Sequence, residues 1–296
     1  MNGVLNIYKE QDFTSHDVVA KLRGICHMKK IGHTGTLDPK AEGVLLVCLG
    51  NATKLCDLLT DKGKQYEAVM LLGEESDTQD AFGTILSKRE VTVTEDEVRE
   101  AVLSFVGEYD QIPPMYSALK VDGKKLYELA REGKVVERKS RRVQIDEIEI
   151  LNMELPRIRM RVSCSKGTYI RTLCHDIGQK LGTGALMEAL LRTRVGTYRV
   201  ENALRLSEVE KLMKEGKLEE QLVKTEDVFA DCEKIVVSGR LEKLVHNGNQ
   251  FPIKSIAYRA CQNELVRVYD STERFIGLYQ CDFDAKRYKP YKMFMN

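Results

Sequence analysis

One carboxylate in this chain lies in a segment whose residue types would hold it still. Asp38 sits within the stretch HTGTLDPKAEG, residues 33–43. Gly35 and Gly43 allow the backbone to take φ > 0 or to approach a ligand closely, and Pro39 pushes Asp38 toward an extended conformation. A fixed carboxylate can act as a nucleophile, as a base or as a stabiliser of positive charge. By local chemistry alone, however, an Asp-Pro pair between glycines is most often only a turn.

The element that follows this loop indicates where the carboxylate would lie. Residues 44–49 form an unbroken apolar run, which predicts a buried strand. We therefore expect the loop at the edge of a sheet, where functional sites are commonly built.

The stretch from Gly32 to Gly43 closely resembles the signature of the tRNA pseudouridine-55 synthases, the TruB family, whose catalytic residue is the Asp of this motif. Further segments resemble the family's other motifs in the same order, and together they span most of residues 1–200: residues 64–66, 114–120 with 123–127, 164–171 and 191–194. Lys9 also matches and would be one of the substrate-binding residues, although the family usually has Lys-Pro and a following Gly where this chain reads KEQD.

The resemblance implies a set of site residues. Asp38 would be catalytic, and Arg171 would pair with it and keep it ionised in a dry pocket. Tyr66 would stack on the uracil base, and Leu191 would close the apolar side of the pocket. His33 is five residues from Asp38, so we assign it to distorting the RNA by insertion among bases; the alternative is a histidine hydrogen-bonded within its own loop. Alone, Tyr66 and Leu191 would be interpreted as core residues.

Composition fits a cofactor-free enzyme. The eight cysteines are scattered without CxxC spacing, which predicts reduced thiols, and the five histidines show no spacing typical of a metal site. We expect no cofactor and no metal. The chain shows no signal-peptide pattern and no apolar run long enough to cross a bilayer, so we expect a soluble, cytoplasmic monomer without an obligate protein partner.

A net charge of +1 makes the placement of the basic residues decisive for RNA binding. Arg157, Arg159 and Arg161 alternate with aliphatic residues, which predicts a strand with one guanidinium-bearing face, at a spacing similar to that of successive phosphates. A second basic cluster occupies residues 138–142. The alternative for both is a solvated face or ion pairs with the acidic residues 146–149; we favour RNA contact because both clusters lie beside family motifs.

The hydrophobic pattern indicates an α/β chain of the α+β type. The resemblance implies the pseudouridine-synthase fold, a mixed and mainly antiparallel sheet flanked by helices. Residues 1–229 would form the catalytic domain, with an RNA-gripping insertion at about 112–142. Residues 230–296 would form a small barrel-like domain resembling a PUA domain, and the alternative for this domain is a generic structural or protein-binding unit.

Individual elements follow from periodicity and capping signals. Thr94 and Glu97 predict a capping box at the start of a helix over 95–104, and Ser15 is the expected cap of a helix over 15–26. The remaining helices are predicted at 52–59, 126–132, 169–181, 185–191 and, as a polar helical connection, 204–220. Strands are predicted at 2–8, 44–49, 66–72, 143–151, 157–164, 235–238, 265–269 and 275–280.

The resemblance implies conversion of uridine 55 in the T loop of tRNA to pseudouridine. One alternative is a paralogue with the same chemistry on another RNA, such as a guide-directed synthase. The other is a protein that binds or folds RNA and whose catalytic activity is secondary.

Overall fold

The structure is a computed structural model that describes residues 1–121, 123–255 and 264–295. A nine-stranded sheet lies in the amino-terminal part, and a five-stranded sheet in the carboxyl-terminal part. The strands are β1 Gly3–Lys9, β2 Ile31–His33, β3 Glu42–Leu49, β4 Lys64–Leu72, β5 Glu74–Ser76, β6 Ile85–Lys88, β7 Gly107–Gln111, β8 Lys120–Val121, β9 Lys124–Lys125, β10 Arg141–Glu154, β11 Arg157–Cys164, β12 Ala185–Val195, β13 Tyr198–Arg199, β14 Glu233–Val236, β15 Phe251–Pro252, β16 Leu265–Tyr269, β17 Phe275–Asp282 and β18 Arg287–Met293. The α-helices are α1 Ser15–Ile25, α2 Cys56–Thr60, α3 Glu95–Leu103, α4 Leu126–Arg131, α5 Ile170–Leu181, α6 Leu206–Lys214 and α7 Arg240–His246.

The large sheet has the strand order β1-β3-β12-β4-β11-β10-β7, with β2 added to β3 and β13 to β12. Strands β3 and β12 pair in parallel, and the other described pairs of this sheet are antiparallel. The mixed, mainly antiparallel sheet confirms the predicted fold class. In the second sheet, β14 pairs in parallel with β16, and the order is β14-β16-β17-β18-β15.

The large sheet is covered by helices through two apolar cores. Helices α3 and α5 pack on β4, β11 and β12 around residues such as Met160 and Ile177, whereas α1 and α6 pack on β1 and β3 around Leu22 and Leu45. A further cluster joins the other face of β3 to the second sheet, through Leu46 and Leu278. Strand β3 is therefore buried on both faces, which explains its unbroken apolar sequence.

The helix starts show one confirmed cap and one correction. Thr94 and Glu97 form the predicted capping box at the start of α3. Helix α1 is capped by Thr14 in a capping box with Asp17, so the assignment of Ser15 as its cap was wrong. Ser15 lies in the first turn instead, where its side chain is buried and free to contact another segment.

The prediction of a helix over residues 185–191 was also wrong, because Ala185–Val195 is strand β12. Its residues include several good helix formers, such as Leu186 and Met187, but the segment pairs with β4 on one side and β3 on the other. Tertiary pairing in the middle of a sheet overrides such local preference.

Two other predicted helical segments are helical in the structure but have different boundaries or helix types. The predicted helix over 52–59 is a 3-10 helix, Gly50–Leu55, followed by α2. The connection over 204–220 contains α6 and a 3-10 turn at Leu218–Gln221. No helix among the described residues is long and apolar enough to span a membrane.

Candidate active site

Asp38 and Arg171, which are 133 positions apart in the chain, form a two-pronged ion pair. The Nε of Arg171 lies 2.9 Å from Oδ2 of Asp38, and its Nη2 donates to Oδ1 at 3.3 Å. Arg171 is the second residue of α5 and is 4% exposed, whereas the Asp38 side chain is 39% exposed. The guanidinium thus holds the carboxylate from the protein side and leaves part of it open to a substrate.

The same guanidinium joins two further segments to the carboxylate. Its Nη1 donates to the carbonyl of Thr78 at 3.0 Å and lies 3.5 Å from Oδ2 of Asp80, and its Nη2 donates to the carbonyl of Tyr116 at 3.0 Å. The turn after β5 and the start of the insertion therefore meet at Arg171. Asp80 is not predictable from the sequence as a partner of Arg171, because no local pattern distinguishes it from the acidic residues around it.

Lys9 supports the loop from beneath and is fully buried. Its Nζ donates to the carbonyls of Glu10, Phe13 and Pro39 at 3.1, 2.7 and 3.0 Å. Burial lowers the pKa of Lys9 to about 8, although the carboxylates of Asp38 and Glu42 oppose this shift. In this structure the ammonium group of Lys9 is enclosed and positions Pro39, the residue that follows Asp38, and contact between Lys9 and the substrate stays a prediction.

Ser15 binds the middle of the loop, and Arg192 binds its two ends. The Oγ of Ser15 accepts a hydrogen bond from the backbone N–H of Leu37 at 2.9 Å. Arg192, 2% exposed, donates from Nε to the carbonyl of Val44 at 2.6 Å and from Nη2 to that of Gly35 at 3.4 Å. Neither residue was selected from the sequence as part of the site. The position of Arg192 inside one of the family motifs was the signal that could have identified it.

The close approach of the loop to β12 requires a glycine at position 43. Its φ is +102°, and a Cβ at this position would lie 2.3 Å from the carbonyl oxygen of Arg192. A side chain here would meet both a rarely allowed backbone conformation and a backbone clash.

Tyr66 lies on β4 opposite Arg192 and is almost fully buried. Burial raises the pKa of its phenol, and the adjacent Arg192 guanidinium partly offsets that rise. The ring belongs to the same core cluster as Leu37, the residue before Asp38. Tyr66 thus shares a core with the loop, and its stacking on the uracil base stays a prediction.

The strand register separates Leu190 from Leu191. Leu190 pairs with Ala68 and packs against the core cluster that contains Tyr66, whereas Leu191 pairs with Glu67. Because side chains alternate along a strand, Leu190 shares the face of Tyr66 and Leu191 points to the other face. The register therefore adds Leu190 to the face of Tyr66, and the role of Leu191 on the apolar side of the pocket stays a prediction.

His33 ends β2 and lies at the start of the loop. Its ring is edge-on to that of His16, with the centroids 5.2 Å apart, and its Nδ1 accepts a long hydrogen bond of 3.4 Å from the N–H of Gly35. Burial lowers the pKa of His33, and the cationic form of His16 and the Arg192 guanidinium lower it further. The contact within the loop corresponds to the alternative stated from the sequence, and RNA distortion by this ring stays a prediction.

The three alternating arginines of β11 are engaged in ion pairs across the sheet. Arg157 pairs with Glu188 at 2.9 Å, Arg159 with Glu67 at 2.6 Å, and Arg161 with both Glu67 and Glu149 at 2.8 and 2.7 Å. The ion-pair alternative thus describes this face, with Glu149 the partner foreseen from the acidic stretch. In the second cluster, Arg142 pairs with Glu108 and Asp110.

A group of potential metal ligands lies in the carboxyl-terminal part. Donor atoms of Glu242, His246 and Asp270 lie within 4.8 Å of one another. The Asp270 carboxylate already accepts hydrogen bonds from the backbone of Thr272 and Arg274, and its Oδ2 lies 3.3 Å from Nε2 of His246. Contacts within the chain therefore account for this arrangement.

Comparison with known proteins agrees with the geometry around Asp38. Residues 23–170 match the family model described as TruB family pseudouridylate synthase (N terminal domain), and residues 171–237 match tRNA pseudouridylate synthase B C-terminal domain. The tRNA pseudouridine synthase B of Lachnoclostridium phytofermentans is 53% identical over 307 residues, which cover 100% of both chains. This chain belongs to the TruB family. It is accordingly a pseudouridine synthase, an isomerase.

Further relatives and solved structures are consistent with membership in the TruB family. The tRNA pseudouridine synthase B of Alkaliphilus oremlandii is 50% identical over 250 residues, covering 84% of this chain and 83% of the relative. A solved Cbf5-Nop10-Gar1 complex contains a chain with a TM-score of 0.75 and 28% identity, covering 99% of this chain and 85% of the other. A solved H/ACA RNP bound to a substrate RNA containing 2′-deoxyuridine gives a TM-score of 0.74 at 26% identity, with the same coverage.

Proposed function

We propose that this enzyme converts uridine 55 in the T loop of tRNA to pseudouridine, with Asp38 as the catalytic carboxylate. The observation that carries the proposal is the half-open carboxylate of Asp38, held from behind by two nitrogen atoms of the buried Arg171. The identity of more than 40% to several tRNA pseudouridine synthases B over nearly the full chain supports the tRNA substrate.

The reaction breaks the N1–C1′ bond of the uridine, turns the base and forms a C5–C1′ bond; C5 loses its proton and N1 gains one. Cleavage develops positive charge at C1′, as in glycoside hydrolysis. A carboxylate fixed by Arg171 can stabilise that charge, attack C1′ or remove a sugar proton without first reorganising. Asp38 is the candidate for each of these roles.

The neighbours of Asp38 suit the other requirements of the reaction. The detached base must be retained, and the Tyr66 ring with Leu190 offers an apolar surface next to the loop. The uridine must first leave its stack in the RNA, at a cost of a few kcal/mol. We propose that His33, at the start of the loop, takes part in that distortion. Lys9, Ser15 and Arg192 would keep the loop rigid meanwhile.

We further propose that the enzyme acts as a monomer without a guide RNA or protein partner, and that residues 230–296 form a PUA-like RNA-binding domain. Identity to the tRNA enzymes reaches 53%, whereas identity to the chains from the H/ACA assemblies is 26–28%, which favours the stand-alone enzyme over the guide-directed alternative. The domain boundary near residue 230 agrees with the second sheet, which starts at Glu233. A cytoplasmic location follows from a tRNA substrate.

The test is pseudouridine formation in a defined T-stem-loop RNA, with the modified position mapped and RNA binding measured in parallel. We expect modification at position 55 by the wild type, none by Asp38→Asn, and similar binding by both. Asp12→Asn is the matched control, since Asp12 also lies beside the loop, is exposed and pairs with Lys40. Tight binding without modification by the wild type would contradict the T-loop substrate, and activity in Asp38→Asn would contradict the role of Asp38.

A further inference from the structure

An exposed aromatic ring lies at the rim of the active site. Phe82, 54% exposed, belongs to the turn between β5 and β6, which also carries Asp80, the second carboxylate partner of Arg171. The Nζ of Lys40 lies 5.1 Å from the centroid of the Phe82 ring. Because Lys40 follows Asp38 by two residues, this contact links the ring to the catalytic loop.

The chain fixes the turn that presents this ring. The N–H of Phe82 donates to Oδ1 of Asp80 at 3.0 Å, the N–H of Thr84 to Oδ1 of Asp77 at 2.8 Å, and the N–H of Ala81 to the carbonyl of Met187 at 3.0 Å. Gly83 allows this tight turn, since a Cβ there would lie 2.2 Å from Oγ1 of Thr78. The exposure of Phe82 is therefore set by an ordered backbone.

The ring also stands where two elements around the active site come together. The hydroxyl of Tyr116, from the start of the insertion, lies 3.5 Å from Oδ2 of Asp77 in the same turn. Phe82 is thus close to both the insertion and the catalytic loop. Single exposed apolar residues are common and need no explanation, but an ordered aromatic ring with a lysine beside it, at the mouth of a nucleotide site, has the chemistry of a stacking surface.

We propose that Phe82 is a stacking platform for a nucleobase of the RNA substrate, adjacent to the target uridine. When the uridine turns outward, its neighbours lose a stacking partner, and an aromatic face replaces it. Lys40 beside the ring pairs with the exposed Asp12 in the free protein, and on binding it can exchange that partner for the accompanying phosphate. The proposal rests on the proposed tRNA substrate, but not on the position that is modified.

The chain contains no tryptophan, so Phe82→Trp introduces a single tryptophan at the platform, and its emission can be excited selectively over that of the tyrosines. We expect its emission to be quenched when the variant is titrated with unfractionated tRNA. Leu86→Trp is the matched control, because Leu86 is a 67% exposed residue of the same hairpin outside the turn, and its emission should stay constant. Unchanged emission of Phe82→Trp at tRNA concentrations that saturate filter binding would overturn the proposal.

Truncation separates stacking from simple apolar contact. Phe82→Ala should raise the Kd for tRNA by about tenfold, while the single-turnover rate at saturating tRNA stays within about threefold of the wild type. Phe82→Leu should bind as weakly as Phe82→Ala, and Phe82→Trp should bind like the wild type. Wild-type affinity in the leucine variant would refute a stacking role. Mapping of the modified position is independent of these titrations, so a failure of the T-loop proposal is distinguishable from a failure of this one.

Discussion

Replacement of Arg171 by lysine tests whether the site works by fixing the direction of the Asp38 carboxylate. Lysine keeps the positive charge but has one nitrogen in place of the three that contact Asp38, Asp80 and the carbonyls of Thr78 and Tyr116. The variant therefore loses the two-pronged geometry and leaves buried acceptors without donors.

The size of the effect follows from burial. Removing one partner of a buried ion pair costs about 3–5 kcal/mol, and because lysine keeps the charge this range is an upper limit for the misdirected pair. The Asp38 side chain is 39% exposed, so water compensates part of the loss and the lower end of that range applies. About 3 kcal/mol corresponds to roughly a hundredfold decrease in rate. We expect this decrease in the single-turnover rate at saturating tRNA, and little change in the Kd for tRNA, because Arg171 is enclosed.

The assay is release of tritium from C5 of labelled uridine in tRNA, with filter binding in parallel. Arg157→Lys is the matched control, because Arg157 also makes a two-pronged pair, with Glu188, but is exposed and distant in the sheet; we expect less than a twofold effect. The double variant with Asp80→Asn should be non-additive, with a coupling of about 1 kcal/mol. A wild-type rate for Arg171→Lys, or a change confined to Kd, would refute the reasoning.

Two further predictions concern the support of the loop. Gly43→Ala should abolish activity and lower Tm, because the added Cβ meets the carbonyl of Arg192 at a φ of +102°; unchanged melting and activity would show that the loop can move away from β12. The pKa of Lys9 falls from 10.5 in the unfolded chain to about 8 in the folded protein. Between pH 8 and 10.5 the unfolded chain therefore binds more protons than the folded protein, and the free energy of unfolding rises with pH in this range. Relative to Lys9→Met, the wild type should gain about 2 kcal/mol in free energy of unfolding between pH 7 and 9.5; parallel urea curves for the two proteins would contradict a buried ammonium.

The fold was predictable where local signals and tertiary structure agree. Helix α3 begins at Thr94 and Glu97 as the capping pattern indicated, and β3 is an apolar run because both of its faces are covered. Strand β12 was not predictable in the same way. Its residues favour a helix locally, and only pairing with β3 and β4 makes it a strand. The short strands β2, β8 and β9 and helix α7 were missed, because a segment of so few residues is too short to show a clear hydrophobic period.

For the candidate site, too, local sequence signals identified some residues, and residues that depend on tertiary contacts were missed. Asp38 and Arg171 were selected because each lies in a long motif, and the structure shows that their side chains meet. Asp80 and Ser15 were missed because their roles depend on contacts with distant segments, Arg171 in one case and Leu37 in the other. The contact of Leu190 with the core around Tyr66 was not predicted, because a motif in a sequence does not reveal which face of a strand a residue occupies.

The buried cations around the loop show how rigidity and reactivity are divided. Lys9, Lys64 and Arg192 direct their nitrogen atoms to backbone carbonyls: Lys9 to Pro39, Lys64 to Thr60, and Arg192 to Val44 and Gly35. Thr60 in turn donates from its hydroxyl to the carbonyl of Thr34. Charge-assisted bonds to carbonyls fix the backbone of the loop without neutralising a carboxylate. Arg171 differs, since it grips the side chain of Asp38 itself. Loss of Lys9 or Arg192 should therefore let the loop move, whereas loss of Arg171 should misdirect the carboxylate on a loop that is still in place.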